Sequence, residues 1–268
     1  MNSPESDNTP RRLGKNKGAY GGETIDIQAL LSEIDALATK HGWESECVHL
    51  LGDFCLRGYR RSGQAPAKKL YLSSGIHGDE PAGPLAAREL FAENDWPESV
   101  EIWFCPCLNP MGYVLNRREN EDGVDLNRDY RHLATPAIQA HVRWLEALPK
   151  FDASVILHED WESGGFYLYE LNVESQPSFA ERVVRDVAHV CPIEQAPFAD
   201  DWPVHGGIIR PDIQPKDRPQ WAEALYLVTH KTPVSYTLEA PSDFPLAVRI
   251  AALVTGVRSV LRQMEGGE

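Results

Sequence analysis

Long apolar runs are missing from this chain. No stretch approaches the ~18 uninterrupted apolar residues that a membrane-spanning helix requires. The opening residues, Met1-Asn2-Ser3-Pro4-Glu5, lack the apolar core of a signal peptide. Positive charge is also scarce: 26 Lys and Arg stand against 40 Asp and Glu, a formal net charge of −14. Phosphate backbones and anionic lipid repel so acidic a chain, which makes nucleic acid and membranes poor partners. Cysteine is sparse and odd in number, five in 268 residues. That count reads as reduced thiols in a cytoplasm rather than a disulfide framework. What remains is an ordinary globular balance, 42% apolar and 25% charged, which excludes wholesale disorder.

Residues 1–22 are polar, rich in Asn, Gly, Pro and charge, and read as a flexible tail. Residues 23–268 read as a single domain. Ile27, Leu30, Leu31, Ile34, Leu37 and Ala38 recur at helical spacing up to Gly42. Three β-like runs follow at 53–59, 69–76 and 100–107, with a helix expected over 81–91. Thr135 and Pro136 open another helix that carries Ile138, Val142 and Leu145 on one face. Strands are expected at 153–157, 166–169 and 234–238, and a helix over 179–190 with Val183, Val184 and Val187 as its stripe. A last helix starts near Pro245 and carries Leu246, Ile250, Leu253, Val257, Val260 and Met264. Alternating strands and helices predict an α/β sandwich with a mostly parallel or mixed sheet. The proline-rich stretch 195–219 reads as a long loop beside a site.

Four short segments could carry chemistry. His77 and Glu80 lie three apart where a strand ends, and can bend toward one metal ion with an imidazole and a carboxylate. His41 and Glu44 share that spacing and read as a helix end. A second apolar strand, Val155-Ile156-Leu157, runs into His158. Two strands delivering histidines to the same sheet edge fit the usual location of sites in open α/β sheets, although a lone strand-end histidine can simply cap and hydrogen-bond its neighbours. The third segment, 116–130, contains Gly123-Val124-Asp125-Leu126-Asn127-Arg128, and its charges nearly cancel, as in a solvated loop. In the fourth, the strand from Val234 ends on Glu239, a place where carboxylates are commonly structural.

In this order the four segments resemble the zinc carboxypeptidases, the carboxypeptidase A-like metallopeptidase superfamily, and in particular its short bacterial members of the murein peptide amidase kind. The resemblance spans residues 50–250. It implies a three-layer α/β/α sandwich around a mixed, mostly parallel sheet. It also implies one zinc per chain held by His77, Glu80 and His158, with Asp125 fixing the His77 tautomer from behind. Asn127 and Arg128 would hold the free carboxylate of a peptide substrate, Arg by a two-pronged fork. Arg118 would face the developing oxyanion, an assignment its neighbour Arg117 leaves open by one residue. Glu239 would be the general base toward a zinc-activated water. The implied activity is that of a zinc metallopeptidase removing a C-terminal residue or cutting a murein-type amide. The runner-up is an acyl-amino-acid hydrolase of the succinylglutamate desuccinylase and aspartoacylase type, which shares these motifs. A non-catalytic zinc-binding homologue is the third reading. The separation of 81 positions from His158 to Glu239 favours a peptide pocket.

Other residues read more plainly. Cys105 and Cys107 look like core thiols, Tyr226 like packing in a helix, and His205 like an exposed loop histidine. Glu159 and Asp160, directly after His158, would crowd the metal or meet substrate. Asp200, Asp201 and Asp212 in the long loop suggest a basic or diaminopimelate-like side chain on the substrate.

Overall fold

The structure is a computed structural model in which residues 10–16, 22–64 and 67–266 are described. Among the described residues ten strands form: β1 Glu44–Leu51, β2 Phe54–Arg61, β3 Lys68–Ser74, β4 Val100–Cys105, β5 Ala153–Asp160, β6 Tyr167–Asn172, β7 Phe198–Ala199, β8 Trp202–Pro203, β9 Ile208–Ile209 and β10 Val234–Pro241. The helices are α1 Ile27–Lys40, α2 Ala82–Glu93, α3 Pro110–Leu115, α4 Pro136–Ala147, α5 Ala180–Val187, α6 Glu223–His230 and α7 Leu246–Glu265. Eight strands make one mixed sheet in the order β1-β2-β4-β3-β5-β10-β6-β9, while β7 and β8 pair separately. The pairs β3–β4, β3–β5, β5–β10 and β6–β9 are parallel.

Period-2 patterning builds the layers. On β3, Leu70 and Leu72 face one side and join Val155, Leu157, Tyr236 and Leu238 under α1, α2, α5 and α7. Tyr71 points the other way and, with Trp103 and Ile156, packs under α4 and α6. Two apolar faces on one sheet demand a helical layer on each, and the α/β/α sandwich follows. Helix boundaries obey their caps. Asp26 accepts the Ala29 N–H at 2.9 Å before α1, and Thr135 caps α4 through Ile138 N–H. Each such cap is typically worth about 1 kcal/mol.

The structure departs from the expectations in two places. Strand β1 carries no alternating pattern, because it is an exposed edge partner of β2. The pair His41 and Glu44 is split between the cap of α1 and the start of β1, so it is a helix end as expected. Cys47 and Cys55 on the β1–β2 hairpin are joined in a disulfide, which corrects the reading of all cysteines as reduced thiols. An odd total hides one pair when the other three, Cys105, Cys107 and Cys191, are buried and free. No helix among the described residues is long and apolar enough to cross a membrane.

Of the segment expected as a tail, residues 1–9 and 17–21 lie outside the described residues. Within it, Arg12 and Lys15 N–H donate to the Asp243 carboxylate at 3.0 and 2.8 Å.

Candidate metal and substrate site

Strand order creates the site. From β3 the chain passes through α2 to β4 on one side, whereas β5 lies against the other side of β3. Connections thus diverge at the carboxyl ends of β3 and β5, where open α/β sheets place their ligands. His77 lies just past β3, and His158 sits near the end of β5. Glu239 on β10 is the register partner of His158. In parallel strands such partners project from the same face of the sheet, toward α6.

His77, Glu80 and His158 are all buried, and one ligand atom from each lies within 4.8 Å of the others. The Glu80 carboxylate sits between the rings. Its Oε1 is 2.6 Å from His77 Nδ1, and its Oε2 is 2.9 Å from His158 Nδ1. Two imidazoles and a carboxylate turned inward on one point are an N,N,O donor set that suits zinc. The remaining nitrogen of His77 supports the fit. Nε2 is buried and makes no well-aligned hydrogen bond among the described residues, yet it lies 3.3 Å from Asp125 Oδ1. A carboxylate behind a histidine in this way fixes the ring and frees the opposite nitrogen for a metal. Gly78, between two of these residues, admits no side chain: a Cβ there would meet the Gly112 carbonyl carbon at 1.9 Å.

Charges in the cluster are interlocked. Burial pushes the Glu80 carboxyl up, but the two histidines outweigh it and hold the group well below the usual carboxylate range. Asp125 is likewise raised by burial and pulled down further by His77 and then by Arg118. For Glu239, burial together with the negative charges of Glu80 and Asp160 pushes the carboxyl well up, against the opposing pull of Arg118.

Asp125 organises its surroundings. Besides facing His77, it caps the short 3-10 turn Leu126–Arg128 by accepting Asn127 N–H at 2.9 Å. Its other oxygen takes Arg118 Nε–H, also at 2.9 Å. Arg118 reaches back to within 3.3 Å of His77 Nδ1 and 3.7 Å of Glu80 Oε1. Arg117 turns away and donates to the Asn120 carbonyl, so of the two arginines Arg118 faces the site. Asn127 and Arg128 line the same cleft of about 690 Å³, and Arg128 is exposed in it.

Several residues in this cleft escaped the sequence motifs. Tyr167 donates to Asp160 at 3.0 Å and Tyr169 to Asp200 at 3.1 Å along one wall. Trp161, Trp202 and Arg218 complete the rim. Glu159 does not crowd the metal position: its carboxylate accepts Arg249 at 2.6 Å, Ser242 at 3.1 Å and Ala82 N–H at 2.6 Å. Its own N–H holds Glu80 Oε2 at 3.0 Å. Tyr226 is buried packing in α6, and His205 is exposed outside the cleft. Of the loop acids, Asp200 lines the cleft while Asp201 and Asp212 do not. The only sequence signal for Asp160 and Tyr167 was proximity to His158.

Comparison with known proteins agrees with this geometry. A metallopeptidase, so named provisionally, from Shewanella amazonensis superposes with a TM-score of 0.78 at 22% identity, covering 89% of this chain and 93% of that one. A metallo-carboxypeptidase from Burkholderia cenocepacia matches at TM-score 0.69 and 15% identity over 91% of this chain and 70% of that one. The chain has the metallo-carboxypeptidase fold. Carboxypeptidase SOL1 of Arabidopsis thaliana is 32% identical over 124 residues, which takes in 37% of this chain and only 24% of that relative. Residues 58–148 match a family described as a protein of unknown function, DUF2817. Within the metallo-carboxypeptidase fold, the segment so matched carries His77, Glu80, Arg118, Asp125, Asn127 and Arg128, whereas His158 and Glu239 lie beyond it.

Proposed function

We propose that this protein is a zinc-dependent metallopeptidase of the zinc carboxypeptidase superfamily that hydrolyses the amide bond next to a free terminal carboxylate. The observation that carries the reading is the convergence of His77, Glu80 and His158 on one point in a cleft lined by Arg118, Asn127, Arg128 and Glu239. Zinc held by the first three would polarise the scissile carbonyl and lower the pKa of water from 15.7 to about 7.

The chain's own groups do the rest. Glu239, on the strand next to His158, accepts a proton from the attacking water at its carboxylate and returns it to the leaving amine. Arg118, held in place by Asp125, turns its guanidinium to the oxygen on which negative charge develops. Asn127 and Arg128 take the substrate's terminal carboxylate, Arg128 through a charge-assisted fork. Cationic groups inside so acidic a chain favour an anionic end on a small substrate over an anionic polymer. The murein-type peptides proposed from the sequence and ordinary peptide tails both supply such an end. Asp160 and Asp200, which line the same cleft, suit a basic or diaminopimelate-like side chain.

The experiment compares a free-acid peptide with its C-terminal amide. Losing the anion removes a charge-assisted hydrogen bond worth about 1.5–3 kcal/mol. kcat/KM should fall at least roughly tenfold, since each 1.4 kcal/mol is a factor of ten. Arg128→Ala should act poorly on the free acid and lose little more on the amide. Equal rates on both peptides would remove Arg128 as anchor. Faster hydrolysis of acyl-aspartate or succinylglutamate than of any peptide would promote the acyl-amino-acid hydrolase reading.

A further inference from the structure

Behind the cleft, between β3 and α4, lies a second polar cluster that the proposed reaction does not use. Its centre is Glu223, the first residue of α6, with no exposed surface. The Glu223 carboxylate accepts Tyr71 O–H at 2.8 Å and Ser73 O–H at 2.9 Å. The Tyr71 oxygen also lies 2.9 Å from His141 Nε2, while Tyr130 O–H lies 2.8 Å from His141 Nδ1. Burial pushes His141 down to about 3, so the ring is neutral and carries one proton. Because Tyr71 gives its proton to Glu223, its oxygen accepts from His141 Nε2–H, and Nδ1 accepts from Tyr130. Every hydrogen then runs one way, from Tyr130 through His141 and Tyr71 into Glu223.

The other end of Glu223 touches the substrate cleft. Its backbone N–H lies 2.9 Å from Asn127 Oδ1. An amide N–H can only donate, so the Asn127 oxygen must face it, and the NH2 group is what remains for the cleft that Asn127 lines. An NH2 group offers donors, which match a carboxylate.

We propose that Glu223 is a positioning residue for the substrate's carboxylate: its buried side chain, fixed by Tyr71 and Ser73 of β3, holds the start of α6 so that the backbone N–H there turns the Asn127 NH2 into the cleft. The inference rests on the reading of Asn127 and Arg128 as the carboxylate anchor. It also ties the anchor to β3, the strand that leads into His77. The groups facing Glu223 are Tyr71 and Ser73 on β3, Cys105 on β4, His141 on α4, and Tyr130. Burial pushes Tyr71, Tyr130 and Cys105 well up and His141 far down, whereas Glu223 is pushed up to about 7. Near neutrality Glu223 is therefore the member of this cluster that changes charge. Once protonated it must donate, and one of the two hydroxyls has to turn around.

The test measures kcat and KM against pH for the free-acid peptide and its amide, in wild type, Glu223→Gln and Glu223→Ala, with metal content determined for each. Wild type should show an ionisation near pH 7 in KM for the free acid. Glu223→Gln should remove that ionisation and raise this KM roughly fivefold to tenfold with kcat nearly unchanged, the pattern of lost binding rather than lost chemistry. The amide's KM and the metal content should stay as in wild type. Glu223→Ala should give the larger KM effect; the near-isosteric Gln variant decides the matter if the Ala variant does not fold. An unchanged KM and a persisting ionisation in Glu223→Gln overturn the inference, as does an equal loss on both peptides. If wild type itself treats the two peptides alike, the anchor reading falls and this inference with it. If wild type discriminates and Glu223→Gln does not alter KM, only the inference falls.

Discussion

Replacing Glu239 by Gln should lower turnover by about 10²–10⁴-fold, the usual worth of a general base, and leave the metal content of the protein unchanged. Glu239 stands outside the His77–Glu80–His158 cluster but lies in register with His158 on the neighbouring strand. Gln keeps the shape and the strand pairing while losing the ability to accept a proton. The variant should therefore still bind free-acid peptide with near-normal KM. Steady-state kinetics beside elemental analysis of the same preparation checks this. Near-normal turnover would take Glu239 out of the chemistry, and loss of metal would move it into the ligand set.

His77→Ala and His158→Ala should each abolish tight zinc binding and reduce activity to background. Removing even a carboxylate behind a ligating histidine commonly costs 10–100-fold in metal affinity or activity, so losing a ligand should cost more. Each substitution also leaves the Glu80 carboxylate buried with one imidazole fewer against it. His41→Ala is the control: its residue shares the spacing to a glutamate but only caps α1, and the variant should retain full metal. Full occupancy in either ligand variant would show that the donor set is wrong.

Much of this site was readable before any coordinates. His77, Glu80 and His158 stand where apolar runs meet polar residues, and a sheet places such ends side by side. Asp125, Asn127 and Arg128 were legible as a motif, although only the fold shows that one Asp125 side chain touches His77, Arg118 and the Asn127 backbone together. The choice between Arg117 and Arg118 needed the turn of the chain after α3. Glu223 was invisible, because an acid in the first turn of a short helix looks like any solvated helix start. Its burial is set by Tyr71 and Ser73 of β3, with His141 of α4 behind Tyr71, from two distant parts of the sequence. Strand β1 was missed for the opposite reason. Its exposed residues carry no apolar rhythm, and its pairing with β2, like the Cys47–Cys55 bond, is decided by the hairpin.

The central claim is that one metal ion in this cleft enables cleavage beside a terminal carboxylate. Its most direct test strips the protein with a chelator, adds zinc in steps, and follows release of the C-terminal amino acid from a free-acid peptide by mass spectrometry. Product formation should be absent without metal and rise with added zinc to a plateau at one equivalent per chain. Cleavage that persists after stripping, or no product at any zinc ratio with peptide or murein tripeptide, would contradict the account.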